Sequence, residues 1–285
     1  MGGEIISADS RQVYRRMDIG TGKDLAEYSA LGKPVPFHLI DIREPGDKYN
    51  VFEFQRDFLG AYNSIRTRGT VPIMCGGTGL YLEAVLRGYR MHAVPENRTL
   101  RESLSGRTLE ELATLLARIK HDNGSAMHNT TDVDTVKRAV RAIEIEVDRR
   151  RNPAEERAFP DIPSLTVGVA VERAERRRRI SQRLRERLDG GLVEEIRGLL
   201  DSGVNADGLI YYGLEYKYVT WYVLGKMSYD DMLGSLETAI HQFAKRQMTW
   251  FRGMERRGVP IHWIDAELPM EEKVGIIRRL WNAQR

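Results

Sequence analysis

The stretch that decides the fold is Glu4-Ile5-Ile6-Ser7-Ala8-Asp9-Ser10-Arg11-Gln12-Val13-Tyr14. Its first part, Glu4 to Ser7, predicts a short apolar β-strand, and Asp9 and Ser10 follow at once. Open α/β sheets bind ligands at the carboxyl ends of their strands, so Asp9 is a candidate general base. Taken alone, Asp9 and Ser10 are explained equally well by an Asx-type turn or a helix cap, because these residue types are common there.

Further apolar runs outside this stretch alternate with helical periods, which predicts an α/β fold with a mostly parallel sheet covered by helices. A helix over 51–68 has Phe54 and Phe58 on its apolar stripe and Gly69 as its stop. The remaining predicted strands lie at 37–42, 71–75, 165–171 and 261–264. Helices are predicted at 173–200, 218–224 and 228–257.

The strand pattern disappears between Pro95 and Arg150. Thr108 and Glu111 have the spacing of a capping box that opens a helix over 109–120, and Asp132 could cap a second helix. We therefore predict an α/β core formed by residues 1–94 and 151–285, with a helical insertion at 95–150.

Composition limits the classes of function. Of 285 residues, 41% are hydrophobic and 30% charged, as in globular proteins, and a net charge of +3 is too small to indicate polyanion binding. A single cysteine, Cys75, excludes an intrachain disulfide and fits a reducing compartment. Without an apolar run of 18 residues or a leader pattern, we predict a cytoplasmic protein with no membrane span. We assign no metal to His38, Asp41 or His241, which we expect to be hydrogen-bonded structure.

A second candidate element is a strand at 71–75 that runs into Gly76-Gly77-Thr78-Gly79 and then a helix. Such a turn can present backbone N–H groups to an anion, but it can equally be a tight connection without a ligand. The standard phosphate loop is absent, because no Gly-Lys pair is followed by a hydroxyl residue. The pairs are Gly22-Lys23, Gly32-Lys33 and Gly225-Lys226.

Basic residues cluster on three predicted helices. Eight arginines lie between Arg173 and Arg187, and smaller groups lie at 137–141 and 241–252. Such runs are usually solvated helix faces. Three basic patches around one acid nevertheless indicate a cleft for nucleic acid, since phosphate contacts position a polynucleotide.

Three ordered motifs resemble the tRNA dimethylallyltransferase family. They are 7–14 with Met17-Asp18-Ile19-Gly20-Thr21, then Gly76-Gly77-Thr78-Gly79-Leu80-Tyr81, and Ala244-Lys245-Arg246-Gln247-Met248-Thr249-Trp250-Phe251-Arg252. Weaker matches extend over nearly the whole chain, at 37–41, 141–144, Arg179-Ile180 with Arg183, and 191–195. The resemblance implies a fold like the P-loop kinases, with an insertion that grips the anticodon stem-loop. It implies transfer of dimethylallyl from its diphosphate to N6 of the adenosine 3′ of the anticodon, on a flipped base.

The resemblance also implies roles for individual residues. Asp9 matches the acid that accepts the N6 proton, and Thr78 and Arg183 match residues that act with it in catalysis. Gly76 and Gly77, with Thr78 and Arg183, fall at the diphosphate. The tRNA contacts implied are Asp9, Ser10, Arg11, Gln12, Thr78, Arg101, Lys137, Arg138, Arg141, Lys217, Lys245, Arg246, Gln247 and Arg252. The family further implies Mg²⁺, dimethylallyl diphosphate and tRNA as ligands, and we expect a monomer with no resident metal ligands in this chain.

The chain departs from the family pattern in three places. Members open with a strand and a phosphate loop, which this sequence lacks, so we expect a truncated chain with apolar surface exposed beside Glu4–Ser7 and unpaired strand edges. Gly213–Lys217 is longer than the usual Gly-Tyr-Lys core, and Arg185 stands where aspartate is common. A tRNA-binding protein without catalysis is the alternative, and a small-molecule kinase is a further one.

Overall fold

A computed structural model describes residues 2–29, 32–91, 93–124, 133–152 and 159–284. Contacts within the chain divide it into two units, Met1–Tyr89 with Pro160–Arg285, and Arg90–Phe159. The segment predicted as an insertion, 95–150, falls inside the second unit. Each unit is described by itself below.

Parallel strands form the centre of the first unit. Strand β1 (Gly3–Ser7) lies between β2 (Phe37–His38) and β3 (Val71–Cys75), and both pairings are parallel. Strand β4 (Val167–Ala170) pairs in parallel with β5 (His262–Asp265) in a separate sheet. Ser7 is paired with Cys75 at the carboxyl end of both strands, so the residues that follow β1 and β3 emerge side by side.

Strand β2 is shorter than the predicted strand at 37–42. Leu39 and Asp41 have φ angles of 63° and 56°, in the left-handed region that cannot continue a strand. The apolar run therefore contributes two strand residues and then turns.

Helix α1 (Val51–Thr67) follows the predicted stripe closely. Asn50 caps it in a capping box with Glu53, and Phe54 and Phe58 are buried. The other helices of the first unit are α2 (Gly79–Leu86), α6 (Arg173–Asp189), α7 (Leu192–Asp201), α8 (Ala206–Tyr211), α9 (Leu214–Val223), α10 (Tyr229–Arg256) and α11 (Met270–Ala283). The segment predicted to be helical over 173–200 consists of two helices, because Gly191 has φ of 99° and turns the chain between α6 and α7.

The prediction of an unpaired, exposed strand edge beside Glu4–Ser7 is wrong. Strand β1 is paired on both sides, and Ile6 is fully buried. Four described strands, β2, β3, β4 and β5, have one partner each. Of these, β3 carries Ile73 at 49% exposure and β4 carries Val169 at 59%. Apolar surface is therefore exposed at these two strands instead.

The second unit consists of helices α3 (Arg98–Ser103), α4 (Leu109–Asp122) and α5 (Val136–Arg151). The capping box of Thr108 and Glu111 opens α4 as predicted. Thr135 caps α5, and the predicted cap Asp132 lies outside the described residues. Helices α4 and α5 pack through a core of Leu104, Leu112, Leu116, Ala139 and Ile143. No helix in the described ranges of either unit is both long and apolar enough to cross a membrane.

Candidate active site

Asp9 lies two residues beyond β1, at the end of the strand where the sequence predicted a site. Its Oδ1 accepts a hydrogen bond of 2.8 Å from the backbone N–H of Arg11, which fixes the carboxyl group in an Asx-type turn. Burial raises the pKa of the Asp9 carboxyl, and the nearby Arg11 and Arg187 charges oppose this rise only in part. A carboxyl with a raised pKa at a strand end is suited to accept a proton.

The turn after β3 is joined to the Asp9 turn through Thr78. The hydroxyl of Thr78 accepts from the backbone N–H of Ser10 at 3.0 Å and donates to Ser10 Oγ at 3.3 Å. The backbone N–H of Thr78 donates to Ala8 O at 3.2 Å. The structure thus brings Asp9, Ser10 and Thr78 into one site, as parallel pairing of β1 and β3 requires.

The glycines of this turn make room for protein atoms. A Cβ on Gly76 would lie 2.4 Å from Ala8 O, and one on Gly77 would lie 2.4 Å from Gln247 Nε2. A Cβ on Gly79 would lie 2.3 Å from the indole of Trp250. Close packing accounts for these glycines without a ligand, so the diphosphate contact of Gly76 and Gly77 stays a prediction.

Gln12 connects β1 to the loop at residues 17–24. Its Oε1 accepts from Ser7 Oγ at 2.8 Å, and its Nε2 donates to Gly22 O at 3.0 Å. Gly22 has φ of 62°. A Cβ placed on it would lie 1.8 Å from Arg187 Nη2 and 2.9 Å from Arg183 Nη2, so both guanidinium groups lie close to this glycine. The amide of Gln12 is therefore held in one orientation beside Asp9.

Lys23 holds the same loop from inside the protein. Its side chain is 1% exposed, and Nζ donates to Tyr14 O at 2.7 Å, to Asp18 Oδ1 at 2.5 Å and to Asp41. A buried ammonium with three acceptors is fully paired. This role of Lys23 was not predicted, because the Gly22-Lys23 pair resembles only part of a phosphate loop.

Glu195 of α7 is a second anchor that sequence reasoning missed. Its carboxylate accepts from the backbone N–H groups of Asp18, Ile19 and Gly20 at 2.8, 2.7 and 3.2 Å. It also accepts from the Tyr216 hydroxyl at 2.6 Å. The only signal in the sequence was that Glu195 belongs to the matched segment 191–195.

Arg183 and Arg187 are one turn apart on α6 but differ in environment. Arg183 is about half exposed and forms an ion pair with Asp24. Arg187 is 17% exposed, and its Nη1 lies 3.4 Å from Oε1 of Glu215 on α9. Both arginines line a groove of about 1010 Å³ between α6 and the loop that contains Asp18 and Asp24.

The predicted tRNA contacts of the first unit are distributed over several elements. Arg11 lies over the ring of Tyr211 at 5.5 Å, and Lys217 lies over the ring of Trp221 at 4.6 Å. Gln247 of α10 donates to Gly77 O at 2.8 Å, which places that helix face at the glycine-rich turn. The other predicted contacts on α10, Lys245, Arg246 and Arg252, are exposed.

In the second unit, two residues predicted to contact tRNA form hydrogen bonds with a buried carboxylate of the protein. Arg101 forms two hydrogen bonds of 2.7 and 2.8 Å to Glu144, whose side chain is fully buried, and Arg141 forms a third of 2.9 Å. Removal of either arginine would leave this carboxylate underpaired. Arg138 is exposed and paired with Asp134, and Lys137 lies beside it on α5.

No group of three or more His, Cys, Asp or Glu side chains in the described part of the chain could hold a metal ion. Magnesium in diphosphate enzymes is bound by one or two carboxylates together with phosphate oxygens, so its position depends on the substrate.

Comparison with known proteins identifies the family. Residues 12–254 match the family model described as IPP transferase. The chain is 61% identical over 276 residues to tRNA dimethylallyltransferase 2 of Bacteroides fragilis, covering 97% of this chain and 89% of that protein. It is 58% identical over 283 residues to tRNA dimethylallyltransferase 1 of Porphyromonas gingivalis, covering 99% and 92%.

Solved structures agree with these relatives. The full-length tRNA isopentenylpyrophosphate transferase from Bacillus halodurans superposes with a TM-score of 0.68 at 29% identity, covering 99% of this chain and 88% of that one. A eukaryotic dimethylallyltransferase has a TM-score of 0.76 at 20% identity, with coverage of 99% and 74%, and so shares the fold. The predicted α/β fold class is confirmed. This chain belongs to the IPP transferase family.

Proposed function

We propose that this protein transfers the dimethylallyl group of dimethylallyl diphosphate to N6 of the adenosine 3′ of the anticodon in tRNA. The prediction of a tRNA-modifying prenyltransferase is confirmed by the family and by the names of its relatives. The observation that supports the residue assignments best is Asp9 at the carboxyl end of β1, joined through Ser10 to Thr78.

Asp9 acts as the proton acceptor. In the transfer, the bond between N6 and the allylic carbon forms and the bond between that carbon and the diphosphate oxygen breaks, so diphosphate leaves with the electron pair. The proton on N6 passes to the carboxylate of Asp9. An adenine amino group is a weak nucleophile because its lone pair is delocalised into the ring, so removal of this proton assists attack.

On the leaving-group side of the substrate, Arg183 offsets the negative charge that develops on the diphosphate. A fixed cation there stabilises the leaving group, and Arg183 is exposed enough to contact it after release from Asp24. Thr78 supplies a hydroxyl at the junction between the diphosphate and the adenosine. Magnesium, where bound, would be held mainly by the diphosphate and would offset its negative charge.

The anticodon stem-loop binds through basic side chains, and its target base is flipped out so that N6 reaches Asp9. Among the predicted contacts, Lys217, Lys245, Arg246 and Arg252 have the exposure or aromatic neighbours expected of a nucleic-acid surface. Arg101 and Arg141 contribute by holding α5, which presents Lys137 and Arg138. The cytoplasmic location and the monomeric state stay predictions.

The test is a single-turnover incubation with dimethylallyl diphosphate and an anticodon stem-loop RNA, followed by mass spectrometry. We expect the RNA to gain one dimethylallyl group. An RNA with purine riboside at the target position, which lacks the amino group, is the matched control and should gain nothing. Binding of both RNAs with no transfer to either would instead support the non-catalytic alternative.

A further inference from the structure

Tyr211, the last residue of α8, is an exposed aromatic residue near the proposed proton acceptor. It is 53% exposed, whereas Tyr212, which follows it, is buried. Cζ of Arg11 lies over the ring of Tyr211, 5.5 Å from the ring centroid. The backbone N–H of the same arginine donates to Asp9 Oδ1 at 2.8 Å. A single residue, Arg11, therefore connects the Tyr211 ring to the turn that holds Asp9.

Tyr212 anchors the end of α8 and so determines where Tyr211 lies. Its hydroxyl donates to Asp47 O at 2.8 Å and accepts from the backbone N–H of Gly46 at 2.6 Å. Its ring packs against Tyr14 with centroids 4.3 Å apart, and it meets the Tyr211 ring edge to face at 5.9 Å. Because the helix end is anchored, the exposed ring of Tyr211 is held ready for a ligand at little cost in conformational entropy.

The chain turns directly after these two tyrosines. Gly213 has φ of 141°, in the region that favours glycine, and a Cβ on it would lie 3.8 Å from Arg11 Nε. The side chain of Arg11 thus lies close both to this turn and to the Tyr211 ring. An exposed aromatic ring with an arginine over it presents a stacking surface and a positive charge together, which is the combination that single-stranded nucleic acid binds.

The chemistry at Asp9 creates a place for such a ring. Flipping the target adenosine takes it out of its stack, so the bases on either side of it lose a stacking partner. An aromatic side chain close to the proton acceptor can replace the lost partner, because every base has a π face. Tyr211 is the exposed aromatic residue that Arg11 connects to the Asp9 turn.

We propose that Tyr211 is a positioning residue whose ring stacks on a nucleobase that flanks the target adenosine, with Arg11 on the opposite face of the ring. The stack stabilises the RNA conformation in which the adenosine is flipped toward Asp9. This inference rests on the function proposed above, because only a flipped base leaves the stacking position open. Tyr211 is not among the tRNA contacts that the family resemblance implies, and it precedes Gly213–Lys217, where the sequence departs from the family pattern.

The experiment measures binding of three stem-loop RNAs to wild-type protein and to Tyr211→Ala. One RNA is intact, one is abasic at the 5′ neighbour of the target adenosine, and one is abasic at its 3′ neighbour. Intact RNA should bind Tyr211→Ala about five- to a hundredfold more weakly than wild type, as expected of one base stacked on an aromatic ring. This loss should vanish with one of the two abasic RNAs and persist with the other. Tyr211→Phe keeps the ring, so it should bind intact RNA within about twofold of wild type.

Tyr229→Ala is the matched control, since Tyr229 is also exposed and its ring also lies beside another tyrosine, Tyr222, at 5.6 Å. It should bind all three RNAs as wild type does. No loss in Tyr211→Ala, a loss that persists with both abasic RNAs, or an equal loss in Tyr211→Phe or Tyr229→Ala would overturn the proposal. If the wild-type protein shows the expected coupling but transfers no dimethylallyl group, the proposed function fails and the stacking contact stands. Transfer without the coupling would have the reverse meaning.

Discussion

At the scale of single residues, Glu4 is a buried charge that is paired with neighbouring side chains. Glu4 is 6% exposed and accepts hydrogen bonds from Arg68, His38 and Thr70. The Arg68 and His38 bonds lower the pKa of Glu4 from 4.5 to about 2, against the effect of burial. This network lies at the N-terminal end of β1, which is the end opposite to Asp9.

The first prediction follows from that pKa. Because the folded-state pKa of Glu4 is lowered, its contribution to stability is present above the unfolded value and is lost as the pH falls from about 4.5 toward 2. Glu4→Gln should lower Tm at neutral pH and flatten the pH dependence of Tm in that range. Glu27→Gln, at an exposed site, is the control, and an equal effect from it would contradict the assignment.

A second prediction concerns Glu195, which holds three backbone N–H groups. Glu195→Gln places an amide NH₂ where an acceptor is needed, so it should lower the free energy of unfolding by about 2 kcal/mol. Glu194→Gln, next to it and 67% exposed, should change this free energy little. Urea unfolding compares the two. Equal losses would show that the carboxylate of Glu195 does not anchor the loop.

At the scale of elements, the turn between β3 and α2 is fixed by packing against α10. Gly79→Ala pushes a methyl group into the indole of Trp250, so we expect it to destabilise the protein by about 1–3 kcal/mol. Gly60→Ala, inside α1 with nothing within 4 Å, should stabilise it by up to about 1 kcal/mol. Thermal unfolding measures the Tm of both variants. An unchanged Tm in Gly79→Ala would mean that α10 does not pack tightly against this turn.

The elements also show how far sequence reasoning reaches. Short apolar runs and capping residues are local signals, so β1, β3, α1 and α4 were predicted well. The end of β2 and the break at Gly191 depend on single left-handed residues, which periodicity does not reveal. The junction of Asp9 with Thr78 could be expected because parallel strands end at one edge. The pairing of Arg187 with Glu215 could not, because it joins helices that are distant in sequence.

At the scale of the whole molecule, a net charge of +3 means that tRNA binding rests on local basic surfaces. Lys245→Gln and Arg252→Gln should each weaken stem-loop binding and reduce its log-log salt slope by about one unit. Arg278→Gln, exposed on α11, should leave that slope unchanged. Titrations at several salt concentrations measure it. An unchanged slope in the α10 variants would remove this helix from the tRNA surface.

The most direct test of Asp9 as the proton acceptor compares dimethylallyl transfer by Asp9→Asn with transfer by Asp201→Asn, an exposed matched control at the end of α7. Asparagine keeps the size of Asp9 and can still accept the bond from Arg11, but it cannot take the N6 proton. We predict that single-turnover transfer falls by about a hundredfold or more in Asp9→Asn, with stem-loop affinity nearly unchanged. Asp201→Asn should transfer at the wild-type rate. Full transfer by Asp9→Asn would show that Asp9 is not the proton acceptor.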